Sequence, residues 1–203
     1  MASASTSFLG AGLDTFAQRR PETASRLRVF EVDQPGPQAW KHQRLIELGV
    51  CIPEWLRLVP VDFETGSSWW EGLAPAGFDA GRPAVVAAAG VAMYLTRGAI
   101  VALLRHIATL APGSTLVMSF MLLPELIEAE ERPLREATER FARAAGTPFL
   151  SFFAPAELLA LAREAGFSEA QHVSAAGLTQ RYFANRTDGL RPSSSEELLV
   201  TCP

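Results

Sequence analysis

The sequence predicts a doubly wound α/β fold built on a mostly parallel sheet, and three observations carry that prediction. Short apolar runs alternate with amphipathic, helix-like segments over short connections from end to end. Residues 83–88 form an unbroken apolar stretch of small and β-branched residues, the pattern of a central parallel strand covered on both faces. An apolar segment at Phe8-Leu9 runs directly into Gly10-Ala11-Gly12, and the next strand-like run ends in the acids Glu31 and Asp33. In open α/β sheets that arrangement places a ligand at the carboxyl ends of the strands. With 203 residues and 48% hydrophobic content, the chain can bury a full core, and one domain over residues 1–203 is expected.

The elements follow in order. Residues 7–9 read as a first strand and 27–32 as a second. Pro35 and Pro37 open a helix to about Leu48, because proline is tolerated in a first turn, and Gly49 closes it. Residues 55–61 form a third strand ending at Asp62-Phe63, with a short helix at 67–73 after it. Thr96 is suited to cap a helix that carries Ile100, Val101, Leu103, Leu104 and Ile107 inward and stops at Pro112-Gly113. Residues 115–120 are a fifth strand. The amphipathic segment 124–145 contains Pro133, which predicts a kink or two helices. Pro155 starts a helix over 156–165, and Gly166 ends it. Strands at 169–174 and 197–201 complete the chain, around a short helix near 179–184 and a loop at 187–195.

Composition excludes several classes of function. The net charge is −4, and the charged fraction of 20% contains no basic run, so no nucleic-acid partner is expected. No apolar segment approaches the roughly 20 residues that span a bilayer. Residues 1–7 are small and polar and do not read as a signal peptide, so a cytoplasmic protein without a membrane partner is expected. Cys51 and Cys202 match no metal spacing, and no metal is predicted.

The glycines permit a tight turn and close backbone approach to a ligand; their alternative reading is an ordinary strand-to-helix turn. Thr15 stands where the third glycine of the dinucleotide fingerprint belongs, which argues against NAD. A carboxylate at Asp33 suits ribose hydroxyls, although it could instead cap the helix at Pro35, and Glu31 shares its strand face. Asp62 is placed for a second polar contact, or for a turn. Tyr94 fits a substrate pocket or the rim of the core, and Trp69-Trp70 fit packing better than a substrate platform. His42, His106 and His172 share no spacing, and no general base is assigned.

Four ordered motifs carry a resemblance. Gly10-Ala11-Gly12-Leu13-Asp14-Thr15, Phe30-Glu31-Val32-Asp33, Pro60-Val61-Asp62-Phe63 and Gly90-Val91-Ala92-Met93-Tyr94-Leu95 resemble the leucine carboxyl methyltransferase family, in particular its bacterial S-adenosylmethionine-dependent branch. Thr147-Pro148-Phe149, the stretch from Phe153 to Gly166-Phe167, and Tyr182-Phe183 through Pro192 are similar to the same branch.

The resemblance implies a class I methyltransferase (Rossmann-like) fold binding S-adenosylmethionine across the carboxyl ends of its first strands. It implies that Gly10, Ala11 and Gly12 pass beneath the methionine portion. Asp33 accepts the ribose hydroxyls, and Asp62 and Phe63 meet the adenine. The family generally carries a helical region before the glycine loop that lids the site, whereas only residues 1–7 precede Phe8 here. Ala89 replaces a family Glu that helps bind the cofactor's charged end, and Phe16 stands where Arg is common.

The function implied is methyl transfer to a carboxylate or hydroxyl of a small molecule or peptide terminus. Displacement at a sulfonium needs chiefly alignment and proximity, so a missing base does not argue against it. The alternatives are a degenerate or truncated remnant that binds cofactor without activity, and a nicotinamide-dependent oxidoreductase. An open groove around Leu13, Phe16 and Tyr94 predicts self-association.

Overall fold

The computed structural model describes residues 4–64 and 69–203. Seven strands, β1 (Ser5–Leu9), β2 (Arg28–Asp33), β3 (Leu56–Pro60), β4 (Ala84–Ala88), β5 (Thr115–Met121), β6 (Glu169–Val173) and β7 (Glu196–Cys202), form one sheet in the order β3-β2-β1-β4-β5-β7-β6. All pairings are parallel except those of β7, which runs antiparallel to both β5 and β6. The chain winds outward from β1 to β3, then returns to the other side of β1 with β4. The reversal point therefore lies between β1 and β4, and the glycine loop leaves β1 there.

The crossover from β1 to β2 consists of two single turns, α1 (Phe16–Arg19) and α2 (Pro21–Ala24), which sequence periodicity did not single out. Helix α3 (Pro35–Glu47) follows β2. Helix α4 (Trp69–Leu73) occupies the end of the helix expected over 67–73, whose residues 67 and 68 lie outside the described residues. Thr96 caps α5 (Arg97–Ala108) as expected, its hydroxyl accepting from the Ala99 amide at 3.3 Å.

Of the two outcomes expected at Pro133, two helices are found rather than a kink: a 3₁₀ turn at Pro124–Leu126 precedes α6 (Arg132–Ala144), and Pro133 sits in the first turn of α6, where the missing N–H costs nothing. Helix α7 (Pro155–Ala165) ends at Gly166 with φ 110°. The last helical stretch is α8 (Ala175–Leu178), which widens into a π turn over Thr179–Phe183.

The two faces of the sheet differ. On one, Leu9, Phe30, Val32, Val86, Ala88, Met118, Phe120 and Leu199 are buried beneath Leu73 of α4, Ile100, Leu103, Leu104 and Ile107 of α5 and Leu158 of α7. On the other, Ala17 and Ala24 pack on Val29 and Leu56, so α1 and α2 cover only the β1–β3 half. The register then lines up Phe8, Ala87, Val117 and Val200 across β1, β4, β5 and β7, each only partly buried, with Val85 50% exposed. The run at 83–88 thus has one covered face in this chain rather than the two its composition predicted. No helix among the described residues is long and apolar enough to cross a membrane.

Candidate functional site

The carboxyl ends of β1, β2 and β3 are stitched together by backbone. The Ala11 amide donates to the Val32 carbonyl at 3.0 Å, and the Val61 amide donates to the Asp33 carbonyl at 2.8 Å. These bonds bring Gly10, Ala11, Gly12 and Asp33 together and set Asp62 and Phe63 beside them. Gly10 has φ 65°, and a Cβ there would lie 2.5 Å from Val91 Cβ. The glycine thus serves a left-handed turn and a close approach between the loop and the segment after β4.

Gly12 donates its amide to Asp33 Oδ2 at 2.5 Å, and Gln34 donates its amide to Asp33 Oδ1 at 2.7 Å. Asp33 therefore does not cap α3, whose cap residue is Gln34 with no side-chain bond. A carboxylate offers about four lone-pair directions, so two N–H donors leave it able to accept further hydrogen bonds. A Cβ on Gly12 would make only an ordinary contact with Asp33 Oδ2, at 3.9 Å; glycine is favoured here by its φ of 48°.

Glu31 is not an alternative to Asp33. It is fully buried beneath α3 in an ion pair with Lys41, and burial pushes its carboxyl above the usual range against the downward pull of the lysine. Lys41 Nζ also donates to the Asp14 carbonyl at 2.6 Å, and Gln38 Nε2 donates to the Glu31 carbonyl at 2.5 Å. Sequence reasoning missed Lys41. Its signal was periodicity: Gln38, Lys41 and Leu45 form the inward stripe of α3, with a charge where an apolar residue is expected.

At the end of β3, Asp62 Oδ1 accepts the Glu64 amide at 2.9 Å, while Phe63 is partly buried against the main core. Glu64, also missed, accepts the Thr96 amide at 2.7 Å and the Thr96 hydroxyl at 3.0 Å, tying this loop to the start of α5. After β4, Ala89 is exposed and the Gly90 amide donates to Ser119 Oγ at 2.7 Å.

Tyr94 is 41% exposed, its ring 5.3 Å from that of Phe149. Behind them the buried Arg135 guanidinium lies 5.4 Å from the Phe149 ring and 4.9 Å from the Phe152 ring. Its Nε donates to Glu139 at 2.8 Å, and its two terminal nitrogens have no hydrogen-bond partner among the described residues.

Other candidates fall outside this cluster. His172 pairs with Glu197 at 2.5 Å on β6 and β7, His106 lies in tilted contact with Trp69, and His42 is exposed. Trp69 is buried in the core, and the side chain of Trp70 lies outside the described residues. A cavity of 780 Å³ lined by Arg28, Trp55, Arg57 and Gly77 opens at the amino ends of β2 and β3, opposite the glycine loop. Among the described residues no group of His, Cys, Asp and Glu could hold a metal ion.

Comparison with known proteins agrees with this geometry. Human N-acetylserotonin methyltransferase, solved with S-adenosylmethionine, superposes with a TM-score of 0.56 at 17% identity over 98% of this chain and 47% of its own. A Streptomyces avermitilis protein of a family without assigned function gives 0.64 at 19% identity, over 98% and 74%. These likenesses show a class I methyltransferase fold.

A Bacillus subtilis protein, YktD, provisionally named an S-adenosyl-L-methionine-dependent methyltransferase, is 34% identical over 184 residues, 90% of this chain and 60% of that protein. A Mycobacterium tuberculosis relative with the same provisional description is 41% identical over 115 residues, 56% of this chain and 36% of its own. The matched stretch of this chain thus spans less than two thirds of the length of each of these relatives. The pattern of the leucine carboxyl methyltransferase family matches residues 6–108, which run from β1 through α5 and contain the whole cluster around Gly12 and Asp33. With its sequence, sheet order and glycine loop in agreement over that half, the chain belongs to the leucine carboxyl methyltransferase family.

Proposed function

We propose that this chain is the cofactor-binding sheet of an S-adenosylmethionine-dependent O-methyltransferase. The observation that carries the reading is the junction of Gly12 and Asp33, where a glycine amide meets a carboxylate at 2.5 Å at the carboxyl ends of β1 and β2, beside the strand-order reversal between β1 and β4. The names of the relatives and the cofactor in the solved N-acetylserotonin methyltransferase support the choice of ligand.

In this reading Gly10, Ala11 and Gly12 pass beneath the methionine portion, Asp33 accepts the ribose hydroxyls, and Asp62 and the Phe63 backbone meet the adenine. The bound cofactor supplies a methyl group on a sulfonium. The chain's own task is to hold that end in line with the acceptor, since alignment is the main requirement of such a displacement. A carboxylate acceptor arrives already deprotonated at neutral pH, whereas a hydroxyl would need a base. The acceptor in this reading is a carboxylate or hydroxyl on a small molecule or peptide terminus. Ala89 contributes no charge to the cofactor's amino-acid end, so affinity is expected to be modest.

Calorimetric titration with S-adenosylhomocysteine and NAD side by side tests the reading. The homocysteine ligand should bind with a micromolar or weaker dissociation constant, about −8 kcal/mol or less favourable. Tighter binding of NAD would overturn it.

A further inference from the structure

We infer that Lys41 is a positioning residue for the methionine end of the cofactor, because it clamps the far side of the glycine loop through the Asp14 carbonyl. This rests on the cofactor site described above. The loop is held on its near side by Asp33, which takes the Gly12 amide, and on its far side by Lys41 Nζ, 2.6 Å from the Asp14 carbonyl. The Asp14 carboxylate in turn takes the Phe16 amide at 2.7 Å and starts α1. Bound ribose would share the Asp33 oxygens that hold Gly12, which leaves Lys41 as the clamp the ligand does not contest.

Stability alone does not explain a lysine at this position. Lys41 and Glu31 are both almost wholly buried, and Glu31 Oε1 has no hydrogen-bond partner among the described residues. Buried ion pairs are often no more stabilising than the apolar residues that could replace them. A leucine at position 41 would complete the inward stripe of α3 with Leu45. What the ammonium adds is a donor with several bonds to give, one to β2 through Glu31 and one to the loop through Asp14. Three elements, β2, α3 and the loop, are thereby fixed to one another at a single atom.

The inference separates two parts of the ligand. Adenosine carries the ribose and adenine but lacks the amino-acid end that the loop faces; S-adenosylhomocysteine carries both. In Lys41→Met the ratio of adenosine to homocysteine-ligand dissociation constants should fall about tenfold, with adenosine binding nearly unchanged. In Glu31→Gln the melting temperature should fall while the ratio stays, because the bond from Lys41 to Asp14 remains. If Lys41→Met does not fold, Glu31→Leu combined with Lys41→Met removes both charges from the interior, and the same ratio is read there.

Equal weakening of both ligands, or a wild-type ratio in the lysine variants, overturns the positioning role and leaves the cofactor site standing. Failure of the wild-type chain to bind either ligand overturns the site itself, and the inference with it.

Discussion

Replacing Asp33 by alanine tests the site and its architecture together. The carboxylate accepts from the Gly12 and Gln34 amides, the first part-buried at 2.5 Å and the second exposed at 2.7 Å. Hydrogen bonds to a charged group contribute about 1.5–3 kcal/mol, and the exposed one is discounted, so the unliganded protein should lose about 2 kcal/mol. For a chain of this size that lowers the melting temperature by about 4–8 °C. A carboxylate serving only a ligand would leave the apo melt untouched, so this shift separates the two designs.

The ligand side is independent. Loss of two ribose hydrogen bonds should weaken S-adenosylhomocysteine about ten- to a hundredfold. At one hundred times the wild-type dissociation constant, the ligand stabilises the wild type by about 2.7 kcal/mol and the variant by only about 0.4–1.4 kcal/mol. Differential scanning fluorimetry with and without ligand, paired with calorimetry, reads both numbers. An unchanged apo melt together with unchanged affinity would refute the reasoning. The ribose role cannot pass to Glu31, which is sealed beneath α3.

Two further outcomes are expected. Hydrogen bonds from Ser193 and Ser194, with the charge of Arg191, hold the Glu131 carboxyl below its ordinary value of 4.5. A lowered folded-state value means that its contribution is present above the unfolded value and lost as pH falls through the folded one. The melting temperature should therefore drop below pH 4.5, and Glu131→Gln should flatten that drop. An identical profile in the variant would show that the segment leading into β7 is not held this way. On the half-covered sheet face, Val85 is 50% exposed, on the same side of the sheet as Ala87 and Val117. Apolar surface of this kind favours association, so the isolated chain should self-associate in sedimentation, and Val85→Lys should shift it toward monomer. A monodisperse wild-type monomer would refute this.

Much of the fold was legible because it depends on local rules. The apolar alternation announced the sheet, Thr96 and Gly166 marked helix ends through their own side-chain and backbone chemistry, and Gly10 with Gly12 marked a turn that other residues enter at a cost. Asp33 was readable as a strand-end acid for the same reason. Pro133 left a kink or two helices open because proline's effect depends on its position in the helix: it breaks an interior but suits a first turn, and only the true start of α6 decides for two helices.

Tertiary structure alone decided the rest. Glu31 and Asp33 share a strand face, and periodicity cannot rank them. The seat of Lys41 under β2 makes one a buried ion pair, while the end of the sheet leaves the other beside Gly12. Val85 and Val86 read alike as core residues, yet α5 buries one and no helix among the described residues covers the other. Strand order and the reversal of β7 come from pairings between segments far apart in sequence. A sequence records what each residue prefers; which neighbour satisfies that preference is set by the assembled chain.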